Sequence, residues 1–298
     1  MTSIFDDIRL AFTRRDNALN QLLLVNIIVF VALILLLVVF KISHNEQVYK
    51  TIVSYLALPS EPGTFLRRPW TIFTYFFTHE GWLHIIFNML NLYWFGMLIR
   101  EYLGSKKLLS LYVLGGLAGG VLYLLFYNLI PFFIQRGSAE MIGASASVLA
   151  IIVAAATLLP NFAFHLLLLG PVKIKYIAAF LVLLSISGAV GSNAGGNVAH
   201  LGGALLGFVF VRQLQKGRDL GRPIHQFWDW LTGLFTRRPR MKVTYTSPGP
   251  GVSSSSSFAN GKPSQQEVDL ILDKISRSGY ESLSKEEKQK LFRASQKD

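Results

Sequence analysis

Met141-Ile-Gly-Ala-Ser-Ala-Ser-Val-Leu149 leads directly into an apolar run that ends near Leu159. Gly143 supplies a bend and the small residues Ala144 and Ala146 flank Ser145. The pattern predicts a hydrophobic helix that starts at or near this serine. A helix N-terminus offers free N–H groups and the positive end of the helix dipole. Both would favour the oxyanion formed when a serine hydroxyl attacks a carbonyl. The same small residues also suit close packing between membrane helices, and the motif alone does not separate the two uses.

Composition places that helix in a membrane. Of 298 residues, 51% are hydrophobic and 15% charged, and the mean hydropathy is +0.41. Soluble domains carry about 25% charged residues, so several spans are implied. The net charge of +12 is read as cytoplasmic loops beside anionic lipid, not as a nucleic-acid surface. The absence of cysteine excludes disulfides, thiol catalysis and cysteine-based zinc sites. No cleavable signal peptide is evident in the polar first twenty residues.

Outward from Ser145, the chain reads as an all-α membrane protein with six spans and a small helical tail. Residues 1–20 form a cytoplasmic segment, and 21–216 hold the spans: Leu22–Phe40, Leu83–Ile99, Leu108–Leu129, the Ser145 helix, Ile177–Val190 and Asn197–Val211. The connection from Lys41 to Trp82 is long and aromatic and is expected at the membrane interface. Gly104-Ser-Lys-Lys107 reads as a basic turn and Asn161–Tyr176 as a loop. Residues 217–242 are a basic, aromatic interfacial segment, and 243–263 a flexible linker with five consecutive serines. In 264–298, Ser264 with Glu267 and Ser284 with Glu287 fit capping boxes. Val268, Ile271, Leu272 and Ile275 make one apolar stripe, with Leu291 and Phe292 as candidates for its partner. That module is too small to hold a core unaided and is expected to have an unknown cytoplasmic partner. Basic turns put both termini in the cytoplasm, and the expected location is a bacterial inner membrane.

Polar side chains inside spans are costly, so each is a functional candidate. His200 begins the sixth span, with Gly203 and Gly207 on its face to admit a neighbouring helix. In the six-span topology Ser145 and His200 both start spans running inward, so they can meet at one depth as nucleophile and base. Glu140 is the only carboxylate between Glu101 and Asp219, so a dyad without an acidic member is expected. His84 and Asn88, one helical turn apart, offer donors for an oxyanion, whereas Asn91 is assigned an interhelical hydrogen bond. His79-Glu80-Gly-Trp-Leu-His84 approaches the zinc-protease pattern His-Glu-x-x-His but is one residue too long. On a helix that spacing leaves the rings roughly 140° apart, and Glu80-Gly81 also reads as a turn, so no metal and no cofactor are expected.

Trp82-Leu-His84-x-x-x-Asn88 with Gly96 and Gly104, then Gly143-x-Ser145, then His200-x-x-Gly203-x-x-x-Gly207 resemble the rhomboid intramembrane serine proteases in order and spacing. The resemblance covers about Leu22 to Val211. It implies a six-helix bundle with a half-embedded first loop, Ser145 as nucleophile, His200 as base, and His84 and Asn88 at the oxyanion. Substrates would be single-pass membrane proteins cut in or near their helix. The chain departs from the family pattern in four places: Ala146 follows the nucleophile where Gly is usual, Leu149 replaces an aromatic residue, Arg100 stands where Glu is usual, and the first-loop Trp-Arg pair reads Trp70-Thr71. The competing reading is a catalytically inactive rhomboid-like protein that binds membrane helices.

Overall fold

The computed structural model describes residues 17–166, 170–235 and 264–295. Two compact units divide at Arg238 and Pro239. The expected N-terminal segment as far as residue 16, the 243–263 linker and the basic stretch from 236 lie outside the described residues.

The first unit is an α-helical bundle. It opens with α1 (Ala18–Ile42), whose Asn26 is fully buried and donates to the Leu22 carbonyl and to the Tyr112 hydroxyl. The stretch expected to be one long connection is built from short helices instead: α2 (Glu46–Ser54), α3 (Pro62–Arg67) and α4 (Thr71–Thr74), closed by a 3₁₀ turn at Tyr75–Phe77. These turns give the backbone polar groups of the stretch partners within the protein. Trp70 and Phe73 are exposed, as interfacial aromatics would be, but Tyr75 and Phe76 point into the bundle core. The Tyr75 hydroxyl donates to the Gly116 carbonyl at 2.6 Å.

Next come α5 (Trp82–Leu103) and α6 (Ser105–Leu129). The expected basic turn is only Gly104, at φ +83°, because α6 begins one residue later. A short α7 (Pro131–Ile134) follows. Leu58–Pro59 (β1) pairs antiparallel with Glu140–Met141 (β2), which fixes the chain entering Ser145. Then come α8 (Ser145–Leu158), an antiparallel hairpin of β3 (Ala163–Leu166) and β4 (Gly170–Lys173), and α9 (Ile174–Gly188). The hairpin replaces the loop expected at 161–176. Four-residue strands are too short to register as a period in the sequence. The bundle ends with α10 (Ala194–Gln215).

Helices α1, α5, α6 and α10 are long and apolar enough to cross a membrane, and α8 and α9 are apolar but shorter. Helix α8 is apolar all round and is surrounded accordingly: it packs against α5, α6, α9 and α10. Gly203 and Gly207 permit this. A Cβ on either would collide with the carbonyl oxygen of Ala146 or Ala150 on α8. Helix α11 (Arg222–Phe235) follows. The Asp219 carboxylate pairs with Lys107, and the His225 ring lies 2.7 Å from the Ser110 hydroxyl. Phe227 and Trp230 are left exposed.

The second unit contains α12 (Gln265–Ser278), a 3₁₀ turn at Tyr280–Ser282, and α13 (Lys285–Ser295). Both capping boxes form: Ser264 and Glu267 bond reciprocally, as do Ser284 and Glu287. The apolar stripe is narrower than its sequence implied. Ile271 and Leu283 are buried, whereas Leu272 and Phe292 are exposed, because two short helices enclose room for few side chains.

Candidate active site

Gly143 determines how Ser145 is presented. Its φ of +117° is open to glycine and strained for other residues. A Cβ there would also lie 2.6 Å from the His84 ring, so the imidazole rests directly on this residue. The Gly143 N–H donates to the Tyr75 carbonyl at 2.9 Å, and the Ala144 N–H donates to His79 Nε2 at 3.2 Å. With those two donors committed, Ser145 is the first residue of α8, at the N-terminus where helical N–H groups lack helical acceptors.

Ser145 and His200 meet across the α8–α10 contact, with Oγ 2.6 Å from His200 Nε2. On the far side of the ring, Nδ1 lies 3.2 Å from the Ser185 hydroxyl of α9, and that hydroxyl donates to the Leu181 carbonyl at 2.9 Å. A hydroxyl has one proton. Having given it to Leu181, Ser185 accepts from Nδ1–H, which leaves the Nε2 lone pair facing the Ser145 hydroxyl. Among the described residues no carboxylate takes part. Ser185 was not among the residues singled out from sequence, although a hydroxyl within an apolar span carries the same signal as the others.

His84 and Asn88 reach the same place from α5. Asn88 is buried, and its amide donates to the His84 carbonyl at 2.9 Å. Both line a cleft of about 390 Å³ together with Ser145, His200, Leu149 and Ser185. Asn91 also lines this cleft, and its amide donates within its own helix to the Phe87 carbonyl, not to another helix as expected. Ser147 is fully buried on the opposite side of α8, facing Gly116. The Ala146 methyl lies against Gly119 of α6. Packing therefore absorbs the departure at that position.

His79 and His84 are separated by the turn expected at Glu80-Gly81. His79 precedes α5, so the helical angle between it and His84 does not apply, and the two rings sit edge to face with centroids 5.1 Å apart. Its Nε2 is taken by the Ala144 N–H, which ties the loop before Ser145 to the turn before α5.

Residues 66–216 match the family profile described as Rhomboid domain, and residues 260–297 match a family of unknown function (DUF6576). The chain is similar to RHOMBOID-like protein 12, mitochondrial, of Arabidopsis thaliana. The two are 32% identical over 160 residues, covering 50% of this chain and 47% of that protein. Presenilin-associated rhomboid-like protein A, mitochondrial, of Danio rerio is 29% identical over 173 residues, or 55% and 42% of the two chains. Rhomboid protease GlpG of Salmonella choleraesuis (strain SC-B67) is 30% identical over 93 residues, or 31% and 32%. The chain spans less than half the length of each of these relatives. The Rhomboid match covers half of the sequence and includes the elements that carry His84, Ser145 and His200; the chain is an integral membrane protein of the rhomboid family.

Proposed function

We propose that this protein is an intramembrane serine endopeptidase that cuts single-pass membrane proteins in or near their transmembrane helix, using a Ser145–His200 dyad and no cofactor. The carrying observation is the 2.6 Å separation of Ser145 Oγ from His200 Nε2, with the Ser185 contact supporting the tautomer a base requires. As Oγ attacks the substrate carbonyl, its proton passes to Nε2. His200 returns that proton to the amide nitrogen as the C–N bond breaks, and a water activated in the same way releases the acyl group. The oxyanion meets the Ser145 N–H at the helix terminus, the His84 ring and the second amide proton of Asn88.

Helix length supports a recessed site. Fourteen residues of α8 rise about 21 Å against a hydrocarbon core of about 30 Å. A nucleophile at the N-terminus of such a helix lies below one membrane surface. Six crossings, counting α8 and α9, with both termini in the cytoplasm complete the proposed topology.

The test is labelling of the detergent-solubilised protein by a serine-directed phosphonate, together with cleavage of a single-pass substrate. Labelling that disappears in Ser145→Ala supports the protease. Absence of labelling and of cleavage across unrelated substrates assigns the chain to inactive rhomboid-like proteins that bind membrane helices.

A further inference from the structure

Helix α11 (Arg222–Phe235) is held to the bundle at its start and bare on its opposite face. His225 Nε2 lies 2.7 Å from the Ser110 hydroxyl and 2.9 Å from the Lys106 carbonyl. Gly221, just before the helix, packs so closely on that hydroxyl that a Cβ there would lie 2.7 Å from it. The Asp219 carboxylate pairs with Lys107 and accepts from the Gly221 N–H at 2.9 Å. Lys106, Lys107 and Ser110 all belong to the first two turns of α6, and only residues 216–221 separate α11 from the end of α10. Both α6 and α10 are long and apolar enough to cross the membrane. Helix α11 therefore starts where two spans leave the hydrocarbon, at the level of the lipid headgroups.

The face turned away from α6 is apolar and its flank is cationic. Phe227 and Trp230 lie about 160° and 140° around the helix from His225. Both are exposed, with ring centroids 5.8 Å apart. Aromatic rings at that depth are favoured in the headgroup zone over water. Lys216, Arg218 and Arg222, beside the helix start, are exposed as well. None of the three forms an ion pair among the described residues. Asp219, which lies between them in sequence, is committed to Lys107. Asp229 is the one acidic residue within α11, and Arg237, Arg238 and Arg240 follow in the sequence.

We infer that α11 is a contact surface for anionic phospholipid, with Phe227 and Trp230 seated in the leaflet and Lys216, Arg218 and Arg222 on its headgroups. An in-plane helix needs both terms, apolar contact and attraction to anionic lipid. Anionic headgroups supply the countercharge that the protein itself does not give these three cations. The inference does not depend on the protease reading.

The chain has no cysteine, so Gln226→Cys, at an exposed position of α11, carries a single thiol-linked fluorophore. The full chain is reconstituted into vesicles of phosphatidylcholine alone, or with about one quarter phosphatidylserine. Lipids brominated high on the acyl chain report contact by quenching the fluorophore. Quenching should be greater by about twofold or more with phosphatidylserine, and the excess should vanish at about 1 M salt, where screening is strong. Lys216→Gln/Arg218→Gln/Arg222→Gln should erase the difference between the two lipids. Phe227→Ser/Trp230→Ser should lower quenching in both. Thermal stability is the folding control, and Arg222→Gln and Trp230→Ser alone, each with a partial loss, replace any variant that fails to fold. Equal quenching in the two lipids would make α11 an uncharged anchor and overturn the inference. Absence of quenching in either lipid overturns it too, and leaves the aromatic face to a protein partner.

Discussion

The Ser185 hydroxyl meets Nδ1 of His200 at 3.2 Å while donating its own proton to Leu181. Among the described residues no acidic side chain reaches the histidine, and this contact fixes the imidazole tautomer. Ser185→Ala should lower kcat by about tenfold or less, the scale of one neutral hydrogen bond, with KM unchanged. Ser185→Thr, which keeps the hydroxyl, should restore most of the rate. Steady-state kinetics on one substrate decides it, and equal losses for Ala and Thr would assign the serine to packing alone.

Ser145 and His200 should behave as one unit. Ser145→Ala and His200→Ala should each abolish turnover, and the double variant should lose little more. His84→Ala or Asn88→Ala removes a single donor and should cost on the order of 10²–10³ in rate. Ser147→Ala should keep its activity, because that hydroxyl is buried against Gly116 on the far side of α8. Cleavage rates normalised to folded protein test all six, and full activity in Ser145→Ala would sink the mechanism.

Two glycines should fail in different ways. Gly203→Ala drives a methyl into the Ala146 carbonyl and should destabilise the bundle by roughly 1–3 kcal/mol or more. Gly143→Ala meets a positive φ and the His84 ring, so its main loss should be in kcat, with a smaller change in thermal stability. Melting temperatures and rates measured on the same preparations separate the two. A Gly143→Ala protein as active as the wild type would show that the loop adapts.

The C-terminal unit should loosen in acid. Hydrogen bonding to Lys290 holds the Glu267 carboxyl below its usual range, and Lys274 does the same for Glu287. A carboxylate with a depressed folded pKa contributes stability above its unfolded pKa and loses it as pH falls through the folded value. Amide-exchange protection of α12 and α13 in the full chain, corrected for intrinsic rates, should therefore decline below about pH 4. Ser264→Ala, which removes the cap, should lower protection of α12 at every pH by about 1 kcal/mol. Protection that rises on acidification would contradict the ion-pair account.

Much was legible in the sequence because membrane spans are written in local composition. A run of about 20 apolar residues can only be a helix in lipid, so α1, α5, α6 and α10 could be read directly. His84 with Asn88 and His200 with Gly203 and Gly207 could be grouped because a helix fixes which residues share a face. The capping boxes at Ser264 and Ser284 were equally local. Three-dimensional packing decided the rest. The short helices between Lys41 and Trp82 satisfy backbone groups whose partners lie far along the chain, as Trp70 does with the Tyr55 carbonyl. The β3–β4 hairpin is too short to have a period. The edge-to-face contact of His79 with His84 depends on the turn before α5, which begins three residues after His79, and Ser185 was missed because its importance rests on a ring nitrogen 15 residues away on another helix. Sequence patterns determine which side chains share a helix face; only the packing of α8 against α9 and α10 brings Ser145, His200 and Ser185 into one line of hydrogen bonds, because those contacts depend on the distance between helices.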